Sequence, residues 1–248
     1  MTVLFKKTRG LTDAPFTYCP GCTHGIIHRL VAECLDELGL LDEAIAIASV
    51  GCSVMSYEFF NCDAIQAAHG RAPAVATGVK RTHPNKTVFT YQGDGDLASI
   101  GTGEIVQAAH RGENITVIFV NNAIYGMTGG QMAPTTLPNQ ITTTSPYGRN
   151  VATQGEPIRM SELLATVPGS AYIERVTVID PASVRKAKKA IKHAFEVQRD
   201  HQGFSMIEVL STCNIGWGQS PIEALGFIKN RMIPYYPLGV FKDKGALK

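Results

Sequence analysis

Short apolar runs rich in β-branched residues recur along the chain, and stretches with helical periodicity lie between them. The runs cover residues 44–50, 87–91, 115–120, 172–178 and 205–210. Strands that alternate with helices are typical of a mostly parallel sheet, because parallel neighbours are joined by crossover helices. The pattern therefore predicts an α/β fold with helices on both faces of the sheet.

Three of the intervening stretches predict helices most clearly. Residues 25–38 carry an apolar stripe and residues 101–111 are also helical in pattern, and a glycine, a common stop signal, follows each stretch. The third helix, over residues 180–198, begins with Asp180 and Pro181, which suit an N-cap and a first helical turn.

Two segments fit neither pattern. Residues 127–155 are rich in Gly, Pro, Thr and Ser, and their length predicts a functional loop rather than a simple connection. Residues 234–248 are rich in Pro, Tyr and Lys. We treat them as a C-terminal tail that wraps a partner subunit or is partly disordered, after a single domain over residues 1–233.

Composition excludes several classes of function. The chain has 248 residues and a formal net charge of +2, and its basic residues form no patch with interleaved aromatics, so nucleic-acid binding is not expected. No apolar run approaches the length of a membrane span, and the start lacks the apolar core of a signal peptide. We therefore expect a cytoplasmic protein whose six cysteines are reduced, which favours metal ligation over disulfides.

Polar residues follow two of the predicted strands. Gly-Asp-Gly-Asp at 93–96 comes after the run 87–91, and Asn122 comes after the run 115–120. Parallel strands end at the same edge of the sheet, so Asp94 and Asn122 should face each other where ligands of α/β folds bind. Their oxygens suit Mg²⁺. Glycine on either side of Asp94 would let the backbone approach phosphate groups.

This pattern resembles the thiamine-diphosphate-binding motif. The resemblance implies that Mg²⁺ is held by Asp94, the side chain of Asn122 and the backbone carbonyl of Ile124. It also implies that the diphosphate is held by Gly95, Asp96 and the loop Tyr125, Gly126, Met127 and Thr128.

The cysteines divide by their context. Cys19 and Cys22 form a C-x-x-C pair before the first helix, whereas Cys52 and Cys213 each follow a predicted strand. Four thiolates that meet at one sheet edge indicate either zinc or an iron-sulfur cluster, and the spacing does not separate these metals. Cys34 falls on the apolar stripe of the first helix, Cys62 is left unassigned, and His24 is expected to cap that helix.

A set of motifs that covers nearly the whole chain resembles the β subunit of a 2-oxoacid:ferredoxin oxidoreductase. They are YCPGCTH (18–24), GCS (51–53), HGRA (69–72), GDGD (93–96), NNAIYGMTGGQ (121–131) and PYYPLG (234–239). The resemblance implies a thiamine-diphosphate-binding fold and a 4Fe-4S cluster on Cys19, Cys22, Cys52 and Cys213. It implies catalytic roles for Ser53, His69 and Arg71. His69 would contact the substrate or thiamine or else be structural, and Arg71 would clamp the substrate carboxylate or else pair with a phosphate or form a structural ion pair. The remaining cofactor-facing residues it implies are Gly51, Cys52, Gly70 and Gly93.

The implied activity is oxidative decarboxylation of a 2-oxo acid to acyl-CoA and CO₂. Pyruvate, 2-oxoglutarate and branched-chain 2-oxo acids all remain open as substrates. One domain leaves no room for the glutamate that activates thiamine, so we expect an obligate α subunit, a γ subunit or domain, a ferredoxin-like subunit and soluble ferredoxin as partners. The alternatives are half of a thiamine-dependent transketolase or decarboxylase without redox function, and a zinc-stabilised assembly protein.

Overall fold

A computed structural model describes residues 6–245 of the chain. Within these residues seven strands form one sheet in the order β2-β1-β3-β4-β6-β5-β7. The strands are β1 (Ala44–Ala48), β2 (Asp63–Gln66), β3 (Thr87–Gly93), β4 (Thr116–Asn121), β5 (Ser170–Thr177), β6 (Phe204–Leu210) and β7 (Gly239–Asp243). The predicted strands are confirmed, and β2 and β7 were missed.

The longer helices cover the two faces of this sheet. The α-helices are α1 (His24–Glu37), α2 (Ser56–Phe59), α3 (Ala72–Thr82), α4 (Thr102–His110), α5 (Val151–Gln154), α6 (Met160–Thr166), α7 (Pro181–Arg199), α8 (Pro221–Phe227) and α9 (Ile233–Tyr235). The predicted cap at Asp180 is confirmed, since its carboxylate accepts a hydrogen bond from the backbone N–H of Ser183 at 2.7 Å.

Two apolar cores follow from the alternation of side chains along each strand. On one face α1 and α7 pack against residues such as Phe89 and Ile118. On the other face α3, α4 and α6 pack against Val88 and Val117, the strand residues next in sequence to those of the first core. The central strands are therefore buried on both faces, as their nearly continuous apolar composition predicts.

All neighbouring strands pair in parallel except β5 and β7, which are antiparallel. The boundary predicted at residue 233 does not separate a tail from the sheet, because β7 is an edge strand of it and Tyr236 is fully buried. Residues 246–248 of that predicted tail lie outside the described residues.

None of the helices that the structure describes is both long and apolar enough to cross a membrane.

Candidate functional site

The carboxyl ends of β1, β3 and β4 open into a cavity of about 270 Å³, here called the strand-end cavity. Parallel pairing brings these ends together, as the sequence predicts. Most of the residues predicted to face the cofactor line it. These are Gly51, Cys52, Ser53, His69, Gly93, Asp94, Gly95, Asp96, Asn122, Ile124, Tyr125, Gly126, Met127 and Thr128.

Asp94 is almost fully buried in this cavity. Its Oδ2 accepts hydrogen bonds from the Thr135 hydroxyl at 2.8 Å and the Ile124 N–H at 3.2 Å, and its Oδ1 accepts one from the Gly95 N–H at 3.0 Å. Burial raises the pKa of Asp94 to about 7, although these hydrogen bonds oppose the shift. A cation beside the carboxylate would restore the charged form.

Asn122 lies beside Asp94, as predicted. The Ile124 N–H that bonds to Asp94 also donates to Oδ1 of Asn122, at 3.3 Å, so the two side-chain oxygens converge. Ala123, which lies between Asn122 and Ile124 in the chain, has a φ of 57°, a left-handed conformation that L-residues seldom adopt. The Thr136 hydroxyl holds the carbonyl of Ala123 at 2.7 Å and so helps fix this turn. A carboxylate and an amide oxygen held in this way fit a magnesium ion.

Close backbone packing forms the wall near these oxygens. A Cβ at Gly95 would lie 3.0 Å from the Tyr125 ring, and a Cβ at Gly126 would lie 3.0 Å from Sγ of Cys213. Glycine therefore leaves the backbone bare beside the cavity. A π-helical turn, Asp96–Ile100, follows, a feature often found at functional sites.

Among residues 6–245 no lysine or arginine lines the strand-end cavity. A diphosphate bound here would be neutralised by a metal ion and by backbone N–H groups. The bare backbone and the convergent oxygens therefore fit a Mg²⁺-diphosphate group.

Asp96 lines the cavity, but its carboxylate is already engaged. Oδ1 lies 2.7 Å from Nδ1 of His69 and accepts the Gly70 N–H at 2.7 Å, while Oδ2 accepts the Gln92 amide at 2.7 Å. Asp96 is 1% exposed and the His69 side chain is 43% exposed. Asp96 thus orients His69, and no described residue hydrogen-bonds to the other ring nitrogen, Nε2.

Two predicted residues, Gly70 and Arg71, are absent from the described lining of this cavity. Gly70 has a φ of 76°, and a Cβ there would lie 2.8 Å from the backbone of Gly101, so this glycine lets two loops meet. The Arg71 guanidinium forms an ion pair with Glu104 of α4. The structure thus favours the structural ion pair over the substrate clamp.

A second cavity of about 700 Å³, here called the cysteine cavity, is lined by Cys19, Cys22, Cys52 and Cys213. Of the described cysteines, Cys34 and Cys62 are not in its lining. The sequence thus separated the two groups as the structure does.

The four thiols of the cysteine cavity are close enough to influence one another. Burial, with a smaller contribution from neighbouring cysteines, raises the pKa of Cys22 to about 11 and that of Cys213 to about 12. In the described part of the chain, no group of three or more His, Cys, Asp or Glu side chains is placed to hold a single metal ion. Thiolates ligate both zinc and iron-sulfur clusters, so four thiols that line one cavity are compatible with either group.

The two cavities share a wall. His24, Cys52, Asn122 and Gly126 line both of them. A group in one cavity therefore lies one side chain away from a group in the other.

The expected helix cap at His24 is wrong, because this residue is buried within α1 and its Nδ1 hydrogen-bonds with the Tyr91 hydroxyl at 2.7 Å.

Sequence reasoning missed several residues of the site. Val50, Ser99 and Ile100 line the strand-end cavity, and Thr135 bonds directly to Asp94. Thr135 lies in the segment 127–155, which the sequence predicts to be a functional loop, but the many threonines of that segment gave no signal for Thr135 in particular.

Comparisons with known proteins agree with this geometry. Residues 49–209 match the thiamine pyrophosphate enzyme, C-terminal TPP binding domain. The ketoisovalerate oxidoreductase subunit VorA of Methanothermobacter thermautotrophicus is 48% identical over 243 residues, which are 98% of this chain and 51% of the relative. The 2-oxoglutarate synthase subunit KorB of Methanocaldococcus jannaschii is 36% identical over 226 residues, which are 88% of this chain and 79% of the relative.

A solved structure of similar fold is the 2-oxoglutarate:ferredoxin oxidoreductase from Magnetococcus marinus, with 2-oxoglutarate, coenzyme A and succinyl-CoA bound. It superposes with a TM-score of 0.77 at 26% identity, over 98% of this chain and 86% of that chain. The chain spans about half the length of the VorA relatives that it matches.

Proposed function

Since the chain belongs to the β subunits of the 2-oxoacid:ferredoxin oxidoreductases, we propose that it carries the diphosphate half of a thiamine diphosphate site and a 4Fe-4S cluster. The complete enzyme would convert a 2-oxo acid and coenzyme A to acyl-CoA and CO₂. Two electrons would leave one at a time through the cluster to ferredoxin. The wall that the two cavities share is the observation that carries this proposal, because a non-redox thiamine enzyme needs no four-thiol cavity there.

The magnesium ligands are Asp94, the side chain of Asn122 and the backbone carbonyl of Ile124. The loop residues 125–128 and the glycines beside Asp94 surround the diphosphate. When bound, thiamine diphosphate supplies the nucleophilic carbon and the electron sink that allow a 2-oxo acid to lose CO₂.

The chain's own residues then orient the reacting groups. Asp96 holds Nδ1 of His69, which directs the unengaged Nε2 to hydrogen-bond with substrate or cofactor. Ser53 is 1% exposed and lines the strand-end cavity next to Cys52, which lines both cavities. Ser53 therefore contacts the cofactor while Cys52 ligates the cluster together with Cys19, Cys22 and Cys213.

The thiamine site requires a group that the described lining does not offer. Activation of thiamine needs a carboxylate beside the aminopyrimidine, and the carboxylates in the described lining, Asp94 and Asp96, are both engaged. An α subunit supplies the missing group. A γ subunit or domain and a ferredoxin-like subunit complete the assembly.

A branched-chain 2-oxo acid is the best candidate substrate. Ile100, Ile124 and Met127 give the strand-end cavity an apolar side. The name of the VorA relative, a ketoisovalerate oxidoreductase subunit, agrees with this choice.

Reciprocal variants test the proposal. Both are made in the full chain, purified without oxygen together with the subunits that accompany it, and assayed for thiamine diphosphate, iron and sulfide. Asp94→Ala should lose thiamine diphosphate and keep its iron. Cys52→Ala should lose iron and keep thiamine diphosphate, so each variant controls for the folding of the other.

Three results would contradict the proposal. Full thiamine diphosphate content in Asp94→Ala would show that Asp94 is not needed as a ligand of the magnesium ion. A colourless preparation without iron would favour the non-redox thiamine enzyme, and zinc without thiamine diphosphate would favour the assembly protein. A panel of 2-oxo acids with coenzyme A and a viologen acceptor then decides the substrate, and a preference for 2-oxoglutarate would overturn the branched-chain assignment.

A further inference from the structure

The segment 234–239, which the sequence marks as a distinct motif, lies outside both cavities but is connected to the metal-ligand candidates. Tyr236 is fully buried, and its hydroxyl donates a hydrogen bond to the backbone carbonyl of Thr135 at 2.7 Å. The Thr135 hydroxyl in turn donates to Oδ2 of Asp94 at 2.8 Å. A chain of two hydrogen bonds therefore runs from the C-terminal segment to the carboxylate.

A second connection starts one residue later. The carbonyl of Pro237 accepts a hydrogen bond from Nη1 of Arg175 at 3.1 Å, and Nε of Arg175 lies 2.9 Å from Oε2 of Glu208. Oε1 of Glu208 accepts the side-chain amide of Asn121 at 2.8 Å, and Oδ1 of Asn121 accepts the Ala123 N–H at 3.1 Å. This path ends on the turn that presents Asn122.

The two connections also contact each other, through Tyr236 of the first and Arg175 of the second. The Arg175 guanidinium lies 5.2 Å from the centre of the Tyr236 ring, within the range of a cation–π contact. Arg175 is fully buried and is also paired with Glu162. Nε of Arg175 makes no hydrogen bond among the described residues, so its contact with Glu208 is an ion pair, while the Nη atoms hold Glu162 and Pro237 by hydrogen bonds.

The hydrogen bonds on Asp94 are shared unequally between its two oxygens. A carboxylate oxygen has two lone pairs. Thr135 and Ile124 occupy both on Oδ2, whereas Gly95 occupies one on Oδ1. Oδ2 therefore carries more hydrogen bonds than Oδ1, and the bond from Thr135 restrains the orientation of the carboxylate beside Asn122.

We propose that the segment 234–239 is a positioning element of the magnesium site, which holds Asp94 through Thr135 and holds the Asn122 turn through Arg175 and Glu208. The inference rests on the proposed function, because it takes Asp94 and Asn122 as metal ligands. Partners of ligating residues commonly change metal affinity by about 10- to 100-fold when they are removed.

The test compares two tyrosines that are adjacent in sequence. Tyr236→Phe removes the hydroxyl on Thr135 and keeps the ring against Arg175. Tyr235→Phe is the matched control, because its hydroxyl contacts Glu156 and the carbonyl of Pro157 instead. Binding of Mn²⁺ in the presence of saturating thiamine diphosphate is measured by electron paramagnetic resonance on the full chain, purified with its accompanying subunits.

Tyr236→Phe should raise the Kd for Mn²⁺ by about 10-fold, and Tyr235→Phe should leave it within about twofold of the unmodified chain. A second pair separates positioning from loss of fold. Thr135→Val should weaken Mn²⁺ binding by about 10-fold or more, and Thr135→Ser, which keeps the hydroxyl, should restore it.

Unchanged Mn²⁺ affinity in Tyr236→Phe and Thr135→Val would overturn the inference while the proposed function stands. If the unmodified chain binds neither Mn²⁺ nor thiamine diphosphate, the proposed function itself fails. Equal weakening in both tyrosine variants would also overturn the inference, because the effect would then not depend on the contact with Thr135.

Discussion

One buried side chain, Arg149, makes many of the hydrogen bonds that hold the loop carrying Thr135. Arg149 is 4% exposed, and its guanidinium donates hydrogen bonds to six backbone carbonyls. The acceptors are Ala133, Pro134, Thr136, Gln154, Gly155 and Glu156. Arg149→Met keeps most of the apolar stem and removes every donor, so it tests whether this side chain organises the loop.

The expected loss of stability depends on which hydrogen-bond partners the six carbonyls would keep without the Arg149 guanidinium. Ala133 and Pro134 keep backbone partners, namely the N–H groups of Thr136 and Ile158. Residues 154–156 lie near solvent, so water can replace the guanidinium there. The carbonyl of Thr136, a fully buried residue, would lose its donor. One orphaned buried acceptor costs about 1–3 kcal/mol, and the lost charge-assisted bonds add to this, so we expect about 2–4 kcal/mol.

Urea unfolding of the full chain measures this loss, and limited proteolysis measures loosening within residues 127–155. Arg159→Met is the matched control, because Arg159 is exposed and stacks on the Tyr235 ring at 4.6 Å; it should cost less than about 1 kcal/mol. Affinity for thiamine diphosphate should fall in Arg149→Met and not in the control. A loss of stability below about 1 kcal/mol in Arg149→Met, with an intact loop, would refute the reasoning.

Three further predictions concern pH, packing and the remaining cysteines. Burial holds the pKa of His28 well below its usual value, so the unfolded chain binds a proton at this residue below about pH 6.5 and the folded chain does not. His28 should therefore lower the free energy of unfolding by about 1.4 kcal/mol between pH 7.5 and 5.5, and unfolding curves at a series of pH values should show a fall that is smaller by this amount in His28→Phe. Gly101→Ala would place a Cβ 2.4 Å from the carbonyl oxygen of Asp96, whereas a Cβ at Gly103 would meet no atom of residues 6–245 within 4 Å. Calorimetry should show a loss of about 1–3 kcal/mol for the first variant and no loss for the second. Cys34→Ala should keep the full iron content, and a loss of iron there would contradict the division of the cysteines.

The sequence was informative where neighbours along the chain decide the outcome. The five apolar runs became β1, β3, β4, β5 and β6 because their composition suits strands that are buried on both faces. The short edge strands gave weaker signals. All four residues of β2 are exposed, and β7 contains Lys and Asp, so neither has the buried apolar pattern on which strand prediction depends.

The candidate site likewise contains residues whose placement the sequence predicts and residues whose contacts it does not. Asp94 and Asn122 could be placed together from the sequence, because parallel strands end at one edge of a sheet. The role of Arg71 could not be predicted, since its ion pair with Glu104 joins two residues that are 33 positions apart in the chain. No local pattern specifies a contact at that distance.

The sequence by itself determined the α/β architecture and placed Asp94 and Asn122 at one edge of the sheet, because strand periodicity and the residues that directly follow each strand are local properties. The tertiary structure alone decided which distant residues hydrogen-bond to Asp94 and to its neighbours. The bond from Tyr236 to Thr135 spans 101 positions, and the bond from Thr135 to Asp94 spans 41. Such contacts depend on how the chain returns to the same place after folding, and burial then makes each polar partner necessary.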